Sequence, residues 1–325
     1  MSKRAVFLDL APLDQGDLDF SALRDAFETF DCYEQTPAQD IVERLRGAQV
    51  AIVNKVALSD ETLSACPDLK LILVAATGVN NIDLAAARRL GITVCNCQAY
   101  GTPTVAQHTL ALLLALATRL PNYQAAVAQG RWQQSGQFCL LDYPIVELAG
   151  KKLGLLGHGE LGSAVARLAE AFGMQVLVGN LPGRPTRPER LGLDELLPQV
   201  DALTLHCPLT EQTRDLIGER ELRMMKPGAF LINAARGGLV NEQALFEAIN
   251  DGHIAGAGLD VFVDEPTPAD NPLFSLDQVL VSPHVGGFSE EARQRSSYRS
   301  ARNILDHFDG KLDPAVVVNP EVLKR

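Results

Sequence analysis

The sequence predicts an α/β protein of two doubly wound parallel-sheet domains, and three observations carry that prediction. Short apolar strand patterns alternate with helical patterns along the whole chain, which favours parallel sheets with helices on both faces. The 325 residues exceed what one hydrophobic core usually serves, so two domains are expected. The third observation is a strand pattern at 151–156 that runs into Gly157-His158-Gly159-Glu160-Leu161-Gly162 and then into an amphipathic stretch at 163–172. In such an arrangement Gly157 allows the tight turn out of the strand, Gly159 lets the backbone approach a pyrophosphate, and Gly162 lets helix and strand pack closely. The helix N-terminus then faces the phosphates. Three glycines at this spacing also occur in ordinary strand-to-helix turns, but a second strand pattern at 175–178 closes a βαβ unit of the length a dinucleotide site requires.

Taken in order, strand patterns fall at 5–8, 50–53, 71–74 and 93–96, with helical patterns at 20–27, 38–45 and 84–90. A long helix is expected from about 104 to 120. Its apolar run, 109–117, is too short to span a membrane and reads as a buried helix. An irregular segment with aromatic and Pro residues, 131–147, leads into the glycine motif. After Asn180 comes a loop rich in Pro and Arg, then strand patterns at 202–206, 229–233, 256–259 and 279–281 separated by helix-like stretches. A last helix is expected at 289–308, and residues 314–319 resemble a short strand. No repeat of solenoid period is visible.

Composition narrows the function. The chain is 46% hydrophobic and 21% charged, and its formal charge of −11 argues against nucleic acid or anionic membrane as a partner. Cys32, Cys66, Cys95, Cys97, Cys139 and Cys207 show no Cys-x-x-Cys and no Cys/His zinc spacing, so reduced, mostly packed thiols and no metal are expected. The first nine residues carry a charged pair and a strand pattern, unlike a secretory signal. A cytoplasmic enzyme is the expectation.

Further motifs carry a resemblance that spacing alone does not give. They are Asn54-Lys55-Val56, Ala75-Ala76-Thr77-Gly78-Val79-Asn80-Asn81-Ile82-Asp83, Thr104-Val105-Ala106-Gln107-His108, Gln137-Phe138-Cys139 with Asp142-Tyr143-Pro144, the glycine motif, Leu205-His206-Cys207-Pro208-Leu209-Thr210 and Met225-Lys226-Pro227-Gly228. Asn233-Ala234-Ala235-Arg236-Gly237-Gly238, Gly258-Leu259-Asp260-Val261, Asp264-Glu265-Pro266 and Ser282-Pro283-His284-Val285-Gly286-Gly287 complete the set. Over its whole length the chain resembles the D-isomer-specific 2-hydroxyacid dehydrogenases, most of all their hydroxypyruvate reductase (glycerate dehydrogenase) branch. The resemblance implies a flavodoxin-like substrate domain made of residues 1–100 and 288–325, a Rossmann NAD(P)-binding domain of residues 101–287 inserted in it, an active site in the cleft, and a homodimer. The implied dimer contact is the long helix with the segment 131–143.

The implied reaction moves a hydride between a nicotinamide cofactor and C2 of a small 2-oxo or 2-hydroxy acid, while a proton moves to or from the oxygen on that carbon. Arg236 offers a planar fork of donors that suits a carboxylate. His284 is the proton carrier, because imidazole titrates near neutral pH. Glu265 orients His284 through the other ring nitrogen and favours its protonated form. Taken singly, each is as well explained by a solvated loop, and only their joint order favours catalysis. Thr77, Gly78 and Val79 form a small anion nest for the acid's carboxylate, with Lys55 beside them and Phe138 or Tyr143 as further specificity candidates. The cofactor residues implied are Gly157, His158, Gly159, Glu160, Leu161, Gly162, Asn180, Arg184, His206, Cys207, Pro208, Thr213, Ala234, Ala235, Asp260 and Gly286. Among the other histidines, His108 reads as packed or at an interface, and His253 and His307 read as surface residues.

Two departures from the family pattern stand out. Asn180 occupies the end of the second Rossmann strand, where an acid often accepts the ribose hydroxyls and would repel a 2′-phosphate. Arg184 and Arg187 follow it, so NADP(H) is expected to be preferred, with NAD(H) also possible; the plain alternative is two solvated loop charges. Gln107 stands where many relatives carry Glu, at a position expected to cap or pack the long helix. The favoured function is reduction of hydroxypyruvate to D-glycerate and of glyoxylate to glycolate. Another D-2-hydroxyacid dehydrogenase, such as a D-lactate dehydrogenase, and a cofactor-sensing corepressor-like protein are the alternatives. A formate dehydrogenase is disfavoured, because that branch is expected to carry Gln where this chain has Glu265.

Overall fold

In the computed structural model, which describes residues 4–324, the chain forms two compact units. One is built from the chain up to Gly101 and from Phe288 onward, the other from Thr102 to Gly287. In the first, β1 (Arg4–Phe7), β2 (Thr29–Cys32), β3 (Val50–Val53), β4 (Leu71–Val74) and β5 (Thr93–Asn96) make a parallel sheet in the order β2-β1-β3-β4-β5. Every residue of β3, β4 and β5 is buried, which is why β3 and β4 read as continuous apolar runs. Helix Leu84–Leu90 starts where the Asp83 side chain accepts the Ala86 N–H at 2.9 Å, and ends at Gly91 in the left-handed region. From the C-terminal piece, helix Glu290–Phe308 packs Ala301 and Ile304 against Leu71 and Leu73.

Two strands differ from the sequence reading in this unit. Strand β2 gave no signal, because at the sheet edge Thr29 is exposed, Phe30, Asp31 and Cys32 are only partly buried, and the four carry no apolar run. The expected strand at 314–319 is a 3-10 turn, Pro314–Val316, followed by a single antiparallel bridge from Val317 to Cys95. Asp313 caps that turn by accepting the Ala315 N–H.

In the second unit, β6 (Lys152–Leu156), β7 (Gln175–Gly179), β8 (Ala202–Leu205), β9 (Ala229–Asn233), β10 (Ile254–Leu259) and β11 (Val279–Val281) make a parallel sheet in the order β11-β10-β9-β8-β6-β7. From β6 the chain runs outward to β7 and returns to β8 on the other side. That reversal is the switch point at which open α/β sheets bind ligands. Helix Thr102–Thr118 crosses one face so closely that a Cβ on Gly258 would lie 2.9 Å from Leu112 Cβ. It breaks at Arg119, whose φ is +53°, and helix Leu120–Ala128 follows; the segment read as irregular begins with helix Arg131–Ser135. Gln107 neither caps nor packs this helix, since it is exposed in the helix interior. Among the described residues, no helix is long and apolar enough to cross a membrane.

Candidate active site

One row of paired residues crosses the second sheet at its carboxyl edge: Gly179, Leu156, Leu205, Asn233, Leu259 and Val281. Because the strands are parallel and in register, everything that follows this row emerges on one edge. The glycine motif follows Leu156, Asn180 follows Gly179, His206 follows Leu205, Ala234 to Arg236 follow Asn233, Asp260 and Glu265 follow Leu259, and Ser282 to His284 follow Val281. Residues scattered from Gly157 to His284 are thus brought together by register alone.

On that edge Glu265 and His284 are in direct contact, with His284 Nδ1 2.6 Å from Glu265 Oε2. Oε1 of Glu265 accepts the Phe262 N–H at 3.1 Å, so the carboxylate is itself held in place. The pairing leaves His284 Nε2 facing away from Glu265 as the nitrogen for chemistry. Arg236 is half-buried on the loop after β9. The loop is shaped by Asn233, whose Nδ2 donates to Arg236 O at 2.9 Å and whose Oδ1 accepts the Ala235 N–H at 3.1 Å, and Arg236 Nη1 donates to Ala235 O at 2.6 Å.

The glycine motif fits a dinucleotide. A Cβ at Gly157 would sit 2.3 Å from His206 O and one at Gly162 2.0 Å from Gly157 O, so both positions exclude any larger residue. Gly159 has nothing within 4 Å of such a Cβ, which leaves room in front of the helix Glu160–Ala171. His158 is exposed, Leu161 is half-buried, and Glu160 Oε1 accepts the Thr102 hydroxyl at 2.8 Å. A cavity of about 190 Å³ lies between the loops that follow β7 and β8, lined by Leu181, Arg184, Pro208, Thr210 and Thr213 among others.

Around this cavity several expected cofactor residues are engaged with their own backbone. Thr213 is buried and donates its hydroxyl to Pro208 O at 2.7 Å while accepting the Thr210 N–H, so it builds the turn that carries Pro208. Asn180 accepts the Arg187 N–H at 3.0 Å and donates to Arg190 O at 3.0 Å, clamping the loop that carries Arg184. His206 Nε2 lies 2.9 Å from Thr204 Oγ1, and burial pushes the imidazole down to about 4, which keeps it neutral and unsuited to the proton role. Burial also raises the Cys207 thiol to about 11. Ala234 and Ala235 are half-buried beside Arg236. Asp260 is 2% exposed, and both its oxygens accept N–H groups of Val285 and Gly286, at 2.9 and 2.8 Å.

In the first unit, Lys55 and Thr77 follow β3 and β4 at the carboxyl edge of that sheet, where Val53 pairs with Val74 and Val74 with Asn96. Lys55 and Thr77 are exposed, and Gly78 and Val79 are half-buried. Two positioning groups escaped the sequence reading. Buried Asp9 accepts three successive N–H groups, from Asn54 at 2.7, Lys55 at 2.5 and Val56 at 2.9 Å. Asn96 Nδ2 donates to Thr77 O at 2.7 Å, and Thr77 Oγ1 donates to Cys97 O at 3.0 Å. An acid closing an apolar strand, as Asp9 does, was the available signal.

The remaining histidines differ from expectation in part. His253 is half-buried, with Nε2 shared between Leu222 O and Met225 O, and half-buried His307 is lowered by burial and meets Phe308 edge-on. His108 is packed, against Ser282 and Asp260. Among the described residues, no group of three or more His, Cys, Asp or Glu could hold a metal ion.

Comparison with known proteins gives the lineage. Residues 110–286 match the family model described as D-isomer specific 2-hydroxyacid dehydrogenase, NAD binding domain. The chain is 43% identical to a glycerate dehydrogenase of Methylorubrum extorquens over 314 residues, 96% of this chain and 98% of that one. Among solved structures it is similar to an acyclic imino acid reductase in complex with NADPH and D-Arg, with a TM-score of 0.85 and 28% identity over 97% of this chain and 99% of the other. D-lactate dehydrogenase from Aquifex aeolicus, complexed with NAD and lactic acid, matches with a TM-score of 0.84 and 30% identity over the same shares. By the match to the family model and to the glycerate dehydrogenase over nearly its whole length, the chain, with its two parallel-sheet units, belongs to the D-isomer specific 2-hydroxyacid dehydrogenase family and is an enzyme of that family.

Proposed function

We propose that this enzyme reduces small 2-oxo acids with NAD(P)H, taking hydroxypyruvate to D-glycerate and glyoxylate to glycolate, with His284 as the proton donor. The observation that carries the reading is the 2.6 Å contact between His284 Nδ1 and Glu265 Oε2, which fits an imidazole held for proton transfer through Nε2. The similarity to a glycerate dehydrogenase supports the choice of acid. The bound nicotinamide cofactor would supply the hydride. Gly157 to Gly162 would hold its pyrophosphate, and Asn180, Arg184, His206, Cys207, Pro208 and Thr213 would wall its adenosine side. Ala234, Ala235, Asp260 and Gly286 stand at the other end of the same sheet edge. Arg236 binds the acid's carboxylate and polarises the adjacent carbonyl. Lys55, Thr77, Gly78 and Val79 are the substrate-binding candidates of the other unit. His284 gives its Nε2 proton to the oxygen on C2, and Glu265 stabilises the imidazolium beforehand. On this reading residues 102–287 are the cofactor domain and the rest the substrate domain.

We also infer a homodimer, supported by a run of exposed apolar side chains in one arm: Phe138 is 95% exposed, Leu141 77% and Ile145 59%. A solution mass of one chain by light scattering would remove that inference. Six cysteines free of disulfides support a reducing, cytoplasmic setting, which fractionation of the source cells would check.

The test of function is cofactor oxidation with hydroxypyruvate, glyoxylate and pyruvate, followed by chiral analysis of the product. D-glycerate from the best substrate is expected, and Arg236→Lys should damage every 2-oxo acid, since a point charge cannot replace a bidentate fork. L-glycerate, or full activity in Arg236→Lys, would overturn the assignment. Pyruvate as the best substrate would favour the lactate dehydrogenase reading. Cofactor binding with no turnover of any acid would favour the corepressor-like one.

A further inference from the structure

Behind the His284 loop lies a polar relay that reaches helix Thr102–Thr118. His108 Nε2 lies 2.7 Å from Ser282 Oγ and 3.3 Å from Asp260 Oδ1, and Ser282 Oγ lies 2.6 Å from the same Asp260 oxygen. The directions of these bonds are forced. Asp260 is ionised: burial pushes its carboxyl up, but the bonds from His108, Ser282, Gly286 and Val285 outweigh that and leave it lowered. A carboxylate only accepts, so Ser282 gives its single proton to Asp260, and the bond between Ser282 and His108 must then be donated by His108 from Nε2. The relay therefore fixes the tautomer of His108 and runs from His108 through Ser282 to Asp260.

The relay grips the backbone on both sides of His284. Asp260 takes the Val285 and Gly286 N–H groups after it, and Ser282, two residues before it, is held by its hydroxyl. Gly286 is seated so closely that a Cβ there would lie 2.8 Å from Asp260 Oδ2 and 3.2 Å from His108 Cδ2. Between these anchors His284 has φ +55°, in the left-handed region that a residue with a Cβ rarely adopts, and its N–H turns back to Ser282 O at 3.0 Å. Such a backbone persists where its surroundings impose it. Here the surroundings that impose it are Asp260, Ser282 and His108.

We propose that His108, acting through Ser282 and Asp260, is a positioning residue for proton transfer by His284. The relay holds the 282–286 backbone in the one conformation that lets the imidazole meet Glu265 through Nδ1 and present Nε2 to substrate. The inference rests on the functional reading above, and its test has an arm that does not.

That arm is the far-downfield proton resonance of the short His284 to Glu265 hydrogen bond, observed without substrate and assigned by its loss or displacement in Glu265→Gln. His108→Leu, which removes the donor, should weaken or shift this resonance and lower kcat roughly ten- to a hundredfold with KM little changed, the cost of a slightly misplaced reacting group. His108→Gln keeps an N–H donor at similar reach and should restore most of both. Retention of the resonance and of kcat in His108→Leu, or no restoration by His108→Gln, would overturn the proposal. If His108→Leu does not fold, Ser282→Ala decides: a weakened resonance supports the relay, and an unchanged one refutes it. A wild-type enzyme that reduces no 2-oxo acid would sink the functional reading while the resonance still judged the relay.

Discussion

An imidazole pinned by a carboxylate on one nitrogen has only the other for proton transfer, and in His284 the pinned atom is Nδ1. If Nε2 is the acid of the reduction, His284→Ala should lose about 10²–10⁴ in kcat while cofactor binding survives, as measured by steady-state kinetics and by fluorescence of bound NAD(P)H. Glu265→Gln keeps the shape and an acceptor for Nδ1–H but removes the charge that orients the ring, so kcat should fall while cofactor binding survives. Unchanged kcat in Glu265→Gln would take Glu265 out of its role. At this scale the sequence was informative only through order: Arg236, Glu265 and His284 stood out because each lies in a recurring motif, not because any has a local signature of catalysis. For Asp9 the sequence offered only an acid closing an apolar strand, and the grip of Asp260 was not legible. Each carboxylate is satisfied by N–H groups far along the chain, 45 to 47 residues away for Asp9, and that proximity exists only after the sheet has formed. His253 and His307 were misread for the same reason, since helical or loop context does not say which carbonyl or ring will cover an imidazole.

The elements read most accurately were those buried on both faces, because burial leaves a continuous apolar run with little ambiguity. Strands β3, β4 and β9 fall where their patterns predicted. Where side chains are half-exposed, as in β2, or where one bridge replaces a ladder, as at Val317, the pattern vanishes. The loop from Asn180 to Leu191 shows the limit most clearly. Its Pro and Arg residues marked it as a loop and its arginines suggested a phosphate contact, but nothing local showed that the Asn180 amide ties the loop together. Arg184 lines the cavity that Pro208 and Thr213 also line, whereas Arg187 approaches Glu189 to 4.0 Å. NADPH should therefore be preferred over NADH, and Arg184→Ala should cost about tenfold or more of that preference, on the scale of one charge-assisted hydrogen bond, with Arg187→Ala costing less. An acid at position 180 acts twice, since it adds a repelling charge and also removes the amide donor to Arg190 O. Comparing kcat/KM for both cofactors in Asn180→Asp and Asn180→Ala separates the two, because both remove the donor to Arg190 O and only the first adds charge, Asn180→Ala giving up the acceptor for the Arg187 N–H as well. Equal loss of preference in the two variants would show that loop order, and not the missing acid, selects the cofactor.

At the scale of the molecule, strand and helix patterns look alike in both units, so composition and periodicity give no mark where the chain passes from one to the other near Gly101 and Phe288. What the whole fold does add is an environment, and its clearest thermodynamic consequence is the neutral His206. Burial at the end of β8 lowers its imidazole from the ordinary value near 6.5 to about 4, with Nε2 against Thr204 Oγ1. The unfolded chain binds a proton as pH falls below about 6.5, and the folded chain does not until about 4, so in this window the unfolded state holds more protons and stability falls with falling pH. The stability present above pH 6.5 is thus lost progressively down to about pH 4, and the slope attributable to this one group approaches 1.4 kcal/mol per pH unit, for a total of about 1–3 kcal/mol. Other groups titrate in the same range, so the measurement is a difference. Denaturant unfolding of wild type and His206→Gln at several pH values should show the variant gaining relative to wild type as pH drops from 6.5 to 4, whatever its stability at neutral pH. Gln keeps a hydrogen-bonding partner for Thr204 and cannot take up a proton, so a stability difference constant across that window would mean that His206 is not held neutral by the fold.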